Sequence, residues 1–327
     1  MANEIYSSSW WGDGPCNDVG WGIIYKQYAN CGPVQPIIDA FVIRVEADGG
    51  TVESTPCLET DLTFLTENPI VPDFTGLLND YSGAAAAYSL RLLDNTYSGN
   101  AVRVRRASDN TEQDIGFANN ELDTTSLETF CSGTNGFVTT WYDQSGNANN
   151  AANATAARQP SIVSSGSVLL LNSKPAIDPL GGRELNFNTL SLNGDFNIVN
   201  VSDFNRTTMP YGGGSGNFVY FMGATQVRYR LGGITFNYTT PTMVDGDQLL
   251  MNINRSGNDL NYHHLGSDLG TENDASPVET FAVDRLFTGN GSVYGAVANQ
   301  EIIIWESDQS SNRTGIETNI NTHYSIY

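Results

Sequence analysis

Residues 88–117 read YSLRLLDNTYSGNAVRVRRASDNTEQDIGF, and residues 122–146 read LDTTSLETFCSGTNGFVTTWYDQSG. Val102 and Val104 alternate with Arg103 and Arg105, the period of a half-buried strand. Asp123 is placed to cap a short helix carrying Leu127, Phe130 and Cys131, and 137–142 reads as a strand. Asp143-Gln144-Ser145-Gly146 and Ser108-Asp109-Asn110 are turn sequences, in which Asp and Asn bond their own backbone. Asp109 and Asp143 are therefore read as structural. Upstream, the Ala- and Leu-rich run 84–93, with Ser82 as its cap, predicts a short helix.

Beyond residue 146 the chain alternates apolar runs with Gly/Asn turns. Strands are expected at 161–163, 168–171, 185–192, 217–222, 227–238, 248–254, 259–264, 279–287 and 292–305. Many short strands at this spacing predict a mainly β sandwich. A helix is expected at 308–322, with Ile316 and Ile320 packing back. No internal repeat is visible.

The first 78 residues differ. Residues 1–35 are rich in Gly, Trp, Tyr, Cys and Pro, and Trp10, Trp11 and Trp21 are costly to leave in water. A helical hairpin is expected next, over 36–47 (Ile38, Phe41, Val45) and 56–65 (Leu58, Leu62, Leu65), with Thr55-Pro56 opening its second arm. These faces exceed what one hairpin buries, so 1–78 is expected to be an attachment and self-association region. A homo-oligomer, with a trimer favoured, would cover Trp10, Trp11, Trp21, Phe41, Val45 and Leu62. Residues 79–327 are expected to form the sandwich.

The 81–180 block, with its SDN (108–110) and YDQSG (142–146) segments, resembles the catalytic domain of fungal-type α-L-arabinofuranosidases. It also resembles concanavalin- or laminin-G-like modules in structural proteins of tailed bacteriophages. Both resemblances imply a concanavalin/laminin-G-like jelly-roll β-sandwich, here preceded by the small helical and irregular region read above. The glycosidase resemblance implies a nucleophile Glu in a middle strand, an acid/base Asp in a Gly/Asp/Asn-rich late loop, and an adjacent Cys-Cys pair. Here 231–246 (LGGITFNYTTPTMVDG) has no Glu, 288–292 (TGNGS) has no carboxylate, and no two cysteines adjoin. A retaining glycosidase needs two carboxylates about 5 Å apart. The residues therefore point away from hydrolysis. The phage resemblance implies a non-enzymatic virion protein (head fibre, capsid decoration or tail-associated) whose partners are other virion proteins.

Composition agrees with that. Lys and Arg number 15 against 36 Asp and Glu, a net charge of −21, which repels phosphate backbones and excludes nucleic acid as a partner. No apolar run approaches 18 residues, so membrane insertion is not expected. The first twenty residues carry neither a basic nor an apolar signal segment, which suits assembly in a host cytoplasm. Cys16, Cys31, Cys57 and Cys131 form no CxxC pair and are read as reduced thiols, although a Cys16–Cys31 bridge is conceivable. Carbohydrate binding is the alternative function: Trp141, Tyr142, Tyr211 and Trp305 are the candidates to stack on a host surface glycan, with Tyr229 and Tyr238 behind them. No cofactor is expected. Asp245 and Asp247 are weak calcium candidates that an Asp-Gly turn explains equally well. His263 and His264 are adjacent, so on a strand they face opposite ways and grip no common ion. Glu301 and Glu306, five apart around IIIW, likewise face opposite sides.

Overall fold

The computed structural model describes residues 74–214, 216–273, 280–289 and 297–327, together with 3–8, 24–27 and 52–57. The chain divides into two units, Met1–Phe74 and Thr75–Tyr327.

In the first unit, Asn3–Ser8 is the central strand of an antiparallel sheet between Ile24–Gln27 and Val52–Cys57. Thr55 and Pro56, expected to open a helix, instead pair with Ile5 and Glu4. Among the described residues Val52–Cys57 is an edge strand, the sheet position in which proline is tolerated. The remainder of the expected hairpin lies outside the described residues, as do Trp10, Trp11, Trp21, Phe41, Val45 and Leu62.

The second unit is a mainly β antiparallel sandwich, as the strand pattern predicts. Its smaller sheet has the order Ser267–Asn273, Asp259–His264, Gln248–Ser256, Phe196–Asp203, Asn299–Trp305, Ala84–Ser89. Its larger sheet runs from Ser167–Val168 through Gly136–Trp141, Leu185–Leu192 and Phe281–Leu286 to Ile234–Thr239. Val102–Arg106 pairs on the side of Gly136–Trp141. Between the sheets lies an aromatic core: Tyr88 sits 5.9 Å from Trp141 and 5.5 Å from Phe187, and Tyr262 sits 5.1 Å from Tyr238.

The smaller sheet is buried on both faces. Along Asn299–Trp305, Ile302 and Ile304 enter the main core, while Ile303 and Trp305 join a second cluster with Ile316, Ile320 and Tyr324. Those last three belong to the C-terminal helix Arg313–Tyr324, which covers the sheet's outer face. Two-sided burial explains why IIIW is a continuous apolar run rather than an alternating one. It also corrects the helix expected at 84–93. That run is the strand Ala84–Ser89, with Ala86 and Tyr88 in one cluster and Ala84 and Ala87 in the other. Alanine's helix preference is worth less than 1 kcal/mol per residue, and packing on two faces overrides it.

The turn motifs bind this strand to the larger sheet. Asp143 accepts from the Ala87 N–H (2.8 Å), the Ser145 N–H (2.9 Å) and the Asn149 N–H (2.9 Å). Gln144 accepts from the Leu93 N–H at 2.8 Å and donates to the Ser89 and Arg91 carbonyls at 3.1 and 3.0 Å. Asp109 accepts from Arg106 at 2.6 Å and from the Thr111 N–H at 2.9 Å, closing its tight turn. Both aspartates sit in turns that organise strands.

Candidate functional site

Two hollows meet at Glu306, at one end of the sandwich. One, of about 490 Å³, is lined by Ser191–Asp195 on one side and Glu306, Ser307 and Asp308 on the other. The second, of about 500 Å³, is lined by Gly83–Ala85, Ser145, Asn147, Asn149, Leu190 and Glu306. Local folding places each wall. The loop 193–195 links the strands Leu185–Leu192 and Phe196–Asp203, and Asp195 accepts from the Gly257 N–H at 2.7 Å. Asn147 and Asn149 donate to the Ala84 and Ala85 carbonyls at 2.9 and 3.0 Å, which fixes the loop after Gly146. Asp308 accepts from the Asn254 amide and the Ser310 N–H, both at 2.8 Å. Burial pulls the Asp308 carboxyl up, but these bonds win and hold it below the ordinary range. Glu306, exposed just beyond the strand end, makes no hydrogen bond or ion pair among the described residues. The groove is thus an Asp/Asn/Ser-lined channel with one uncommitted carboxylate at its junction. Such groups bond sugar hydroxyls.

Glu301, five residues earlier, has the opposite fate. It is wholly buried and forks onto Arg91, with Nε to Oε2 at 2.8 Å and Nη2 to Oε1 at 2.9 Å. Burial raises its carboxyl, but Arg91's charge and hydrogen bonds prevail and hold it low. This ion pair is structural.

The other end of the smaller sheet holds a cavity of about 550 Å³ lined by Leu171, Asn172, Met243, Asp247, Gln248 and His264, among others. Asp245 and Asp247 lie here, in a turn. The Val244 N–H donates to Asp247 at 2.7 Å, and Arg206 pairs with Asp245 at 3.6 Å. Among the described residues no three His, Cys, Asp or Glu converge as metal ligands. His263 and His264 are each mostly buried, and burial pushes His264 down to about 4.

At this same end Asp203 closes the strand Phe196–Asp203 and accepts from the Ala298 N–H at 2.7 Å. Burial, joined by the charge of Asp178 and opposed by that N–H, pushes its carboxyl up to about 7. Nothing in the sequence around Asp203 signals this. It arises from burial in the fold and from Asp178, twenty-five residues earlier in the chain.

The glycine-rich loop 211–216 and the late loop at 288 are neighbours. The Gly214 N–H donates to the Gly289 carbonyl at 2.9 Å. A Cβ on Gly212 would stand 2.6 Å from the Gly289 Cα, and one on Gly289 would stand 2.4 Å from the Met209 sulfur. Glycine there serves close backbone approach.

The aromatic candidates scatter. Trp141, Tyr211 and Trp305 are fully buried in the sandwich, as are Tyr229 and, nearly, Tyr238. Their rings fill the cores, because the strand positions they occupy face inward, so they offer no stacking platform. Tyr142 alone is half-buried, and its hydroxyl donates to Asp114 at 2.7 Å.

The family described as alpha-L-arabinofuranosidase B, catalytic, matches residues 80–170 of this chain. No curated protein matches it. Among solved structures, a GH54 α-L-arabinofuranosidase soaked with a cyclic sulfate inhibitor superposes with a TM-score of 0.59 at 16% identity. So does an arabinofuranosidase complexed with arabinofuranosyl-α-1,2-xylobiose, with the same TM-score and identity. Each comparison covers 72% of this chain and 62% of the other. At this identity the likeness is one of fold: the second unit carries an arabinofuranosidase-like β-sandwich.

Proposed function

We propose that the sandwich is a non-hydrolytic saccharide-binding domain, carried on a bacteriophage virion as a head fibre, decoration or tail-associated protein. The observation that carries the binding reading is the Glu306 groove, open and lined by Asp, Asn and Ser. Against hydrolysis stands the late loop, which has no carboxylate from 288 to 298 and is drawn at Gly289 into glycine-to-glycine packing. Virion display rests on the phage resemblance and the acidic composition, with residues 1–78 as the attachment and oligomer-forming region. A glycan array probed with the whole protein tests the binding. We expect a defined set of hits whose affinity falls at least tenfold in Glu306→Ala. Absence of any glycan binding would overturn the binding reading and leave a purely structural role.

A diverged glycosidase is the second reading, and one observation favours it. Asp203, whose carboxyl burial pushes up to about 7 beside the segment 297–299, keeps part of its protons near neutrality, as a general acid must, and Asp178 lies within its field. Release of nitrophenol from 4-nitrophenyl α-L-arabinofuranoside, lost in Asp203→Asn, would establish it. We expect no release.

A further inference from the structure

Carboxylates outnumber basic groups by 36 to 15 in this chain, so an arginine facing none of them needs a physical reason. Among the described residues Arg91, Arg103, Arg106, Arg158, Arg206, Arg285 and Arg313 each lie within 4.0 Å of a carboxylate. Arg105, Arg183 and Arg228 do not, and the first two sit together whereas Arg228 bonds Asn237 on its own. Both guanidinium groups lie over the ring of Phe137, at 5.0 and 4.7 Å from its centroid. Phe137 is on the outer face of the larger sheet, because its neighbour Val138 points into the core.

The pair is held by neutral acceptors. Arg105 donates from Nε to the Gln159 side chain at 2.6 Å, from Nη1 to Asn110 at 2.8 Å and from Nη2 to the Ala156 carbonyl at 3.4 Å. Arg183 donates from Nη1 to the Gln159 backbone carbonyl at 3.0 Å. Gln159 is 2% exposed and is itself fixed by donating to the Asn153 carbonyl at 2.9 Å. One buried residue thus orients two cations on one ring, and among the described residues no carboxylate lies within 4.0 Å of either, although the charge of Asp178 reaches Arg183. Partial burial and then the charge of Arg105 pull the Arg183 guanidinium below its ordinary value, against the opposing charge of Asp178.

We infer that the Arg105–Phe137–Arg183 face is a binding site for a carboxylate-bearing sugar, such as a uronic acid residue of a glycan. Arg183, with a single described hydrogen bond, keeps guanidinium donors for two parallel bonds to a carboxylate, and an anion there offsets the charge it faces across the ring. The chain's net charge of −21 acts against a polyanion, whereas one carboxylate on an otherwise neutral sugar meets only the local field. The inference rests on the saccharide-binding reading above and adds a second, charge-selective subsite to it.

The test is a titration of the full chain with D-glucuronate and, separately, D-glucose, followed by NMR of the arginine Nε–H signals. Glucuronate is expected to shift the Arg105 and Arg183 signals saturably, and glucose to leave them unmoved. Arg183→Gln, which removes a single described hydrogen bond, should weaken glucuronate binding at least tenfold. Arg228→Gln, on a distant strand of the same sheet, should leave it unchanged. Equal shifts from both sugars, or unchanged affinity in Arg183→Gln, would overturn the inference. So would an array on which neutral glycans bind and uronates do not, and that result would leave the Glu306 groove standing. No glycan binding of any kind would remove both.

Discussion

At the scale of single residues, chemistry follows enclosure more than identity. Glu301 and Glu306 are the same amino acid five positions apart. One is locked to Arg91 in the interior and the other stands free at a groove. Strand parity in the sequence separates them onto opposite sides, but it does not say which side water reaches. Asp203 was illegible altogether, because its raised carboxyl comes from burial in the folded sandwich and from the charge of Asp178, which no local sequence shows. It makes a sharp prediction. A carboxyl near 7 in the fold and near 3.8 in the unfolded chain is protonated in the native state at pH 5 and costs stability as pH rises through 7. Asp203→Asn keeps the acceptor for Ala298 and removes that cost. Urea unfolding at pH 8 should show the variant more stable by about 1–3 kcal/mol, with little difference at pH 4.5. A variant less stable at both values would mean that the carboxylate is satisfied in ways its surroundings do not suggest.

At the scale of elements, the sequence was readable where one face is wet and misleading where both are dry. Val102–Arg106 alternates and was legible as a strand. Ala84–Ser89 has five buried residues of six and carries the composition of a helix. The neighbouring YDQSG turn explains why it stays extended. Gln144 occupies the Leu93 N–H and the Ser89 and Arg91 carbonyls, groups a helix would have used internally. Gln144 is 2% exposed, so Gln144→Ala leaves these groups buried without partners. We expect a loss of about 2–4 kcal/mol, read as a lower urea midpoint at unchanged slope. A loss below about 0.5 kcal/mol would show that the strand is held by packing alone. The groove beside this turn was half legible. Ser145-Gly146-Asn147 signals a loop, but only the fold brings it to Glu306.

At the scale of the whole molecule, buried titrating groups set how stability responds to pH, and their signs compete. Burial pushes His264 and His323 down to about 4, so the unfolded chain takes up two protons near 6.5 that the fold refuses. Their contribution is present above 6.5 and is lost as pH falls towards 4. Asp203 acts in the opposite sense, since the fold takes a proton near 7 that the unfolded chain accepts only near 3.8. His263, also held down by burial, and Glu317, pushed up by it, add terms of opposite sign. Two histidines outweigh one aspartate below 6.5, while near 7 the contributions nearly cancel. Unfolding free energy should therefore be flat around pH 7 and fall by about 1 kcal/mol per pH unit near 5.5. The competition can be unmasked. Asp203→Asn removes the opposing proton, so the slope near 5.5 should roughly double, to about 2.4 kcal/mol per unit. His264→Gln should instead bring it close to zero, because one histidine and one aspartate then balance. Denaturant titrations of the three proteins between pH 4.5 and 8 measure all of this. A wild-type stability that rises on acidification from 6.5 to 5 would mean that the histidines are charged in the fold and that the polar ends of this sandwich are far wetter than their packing implies.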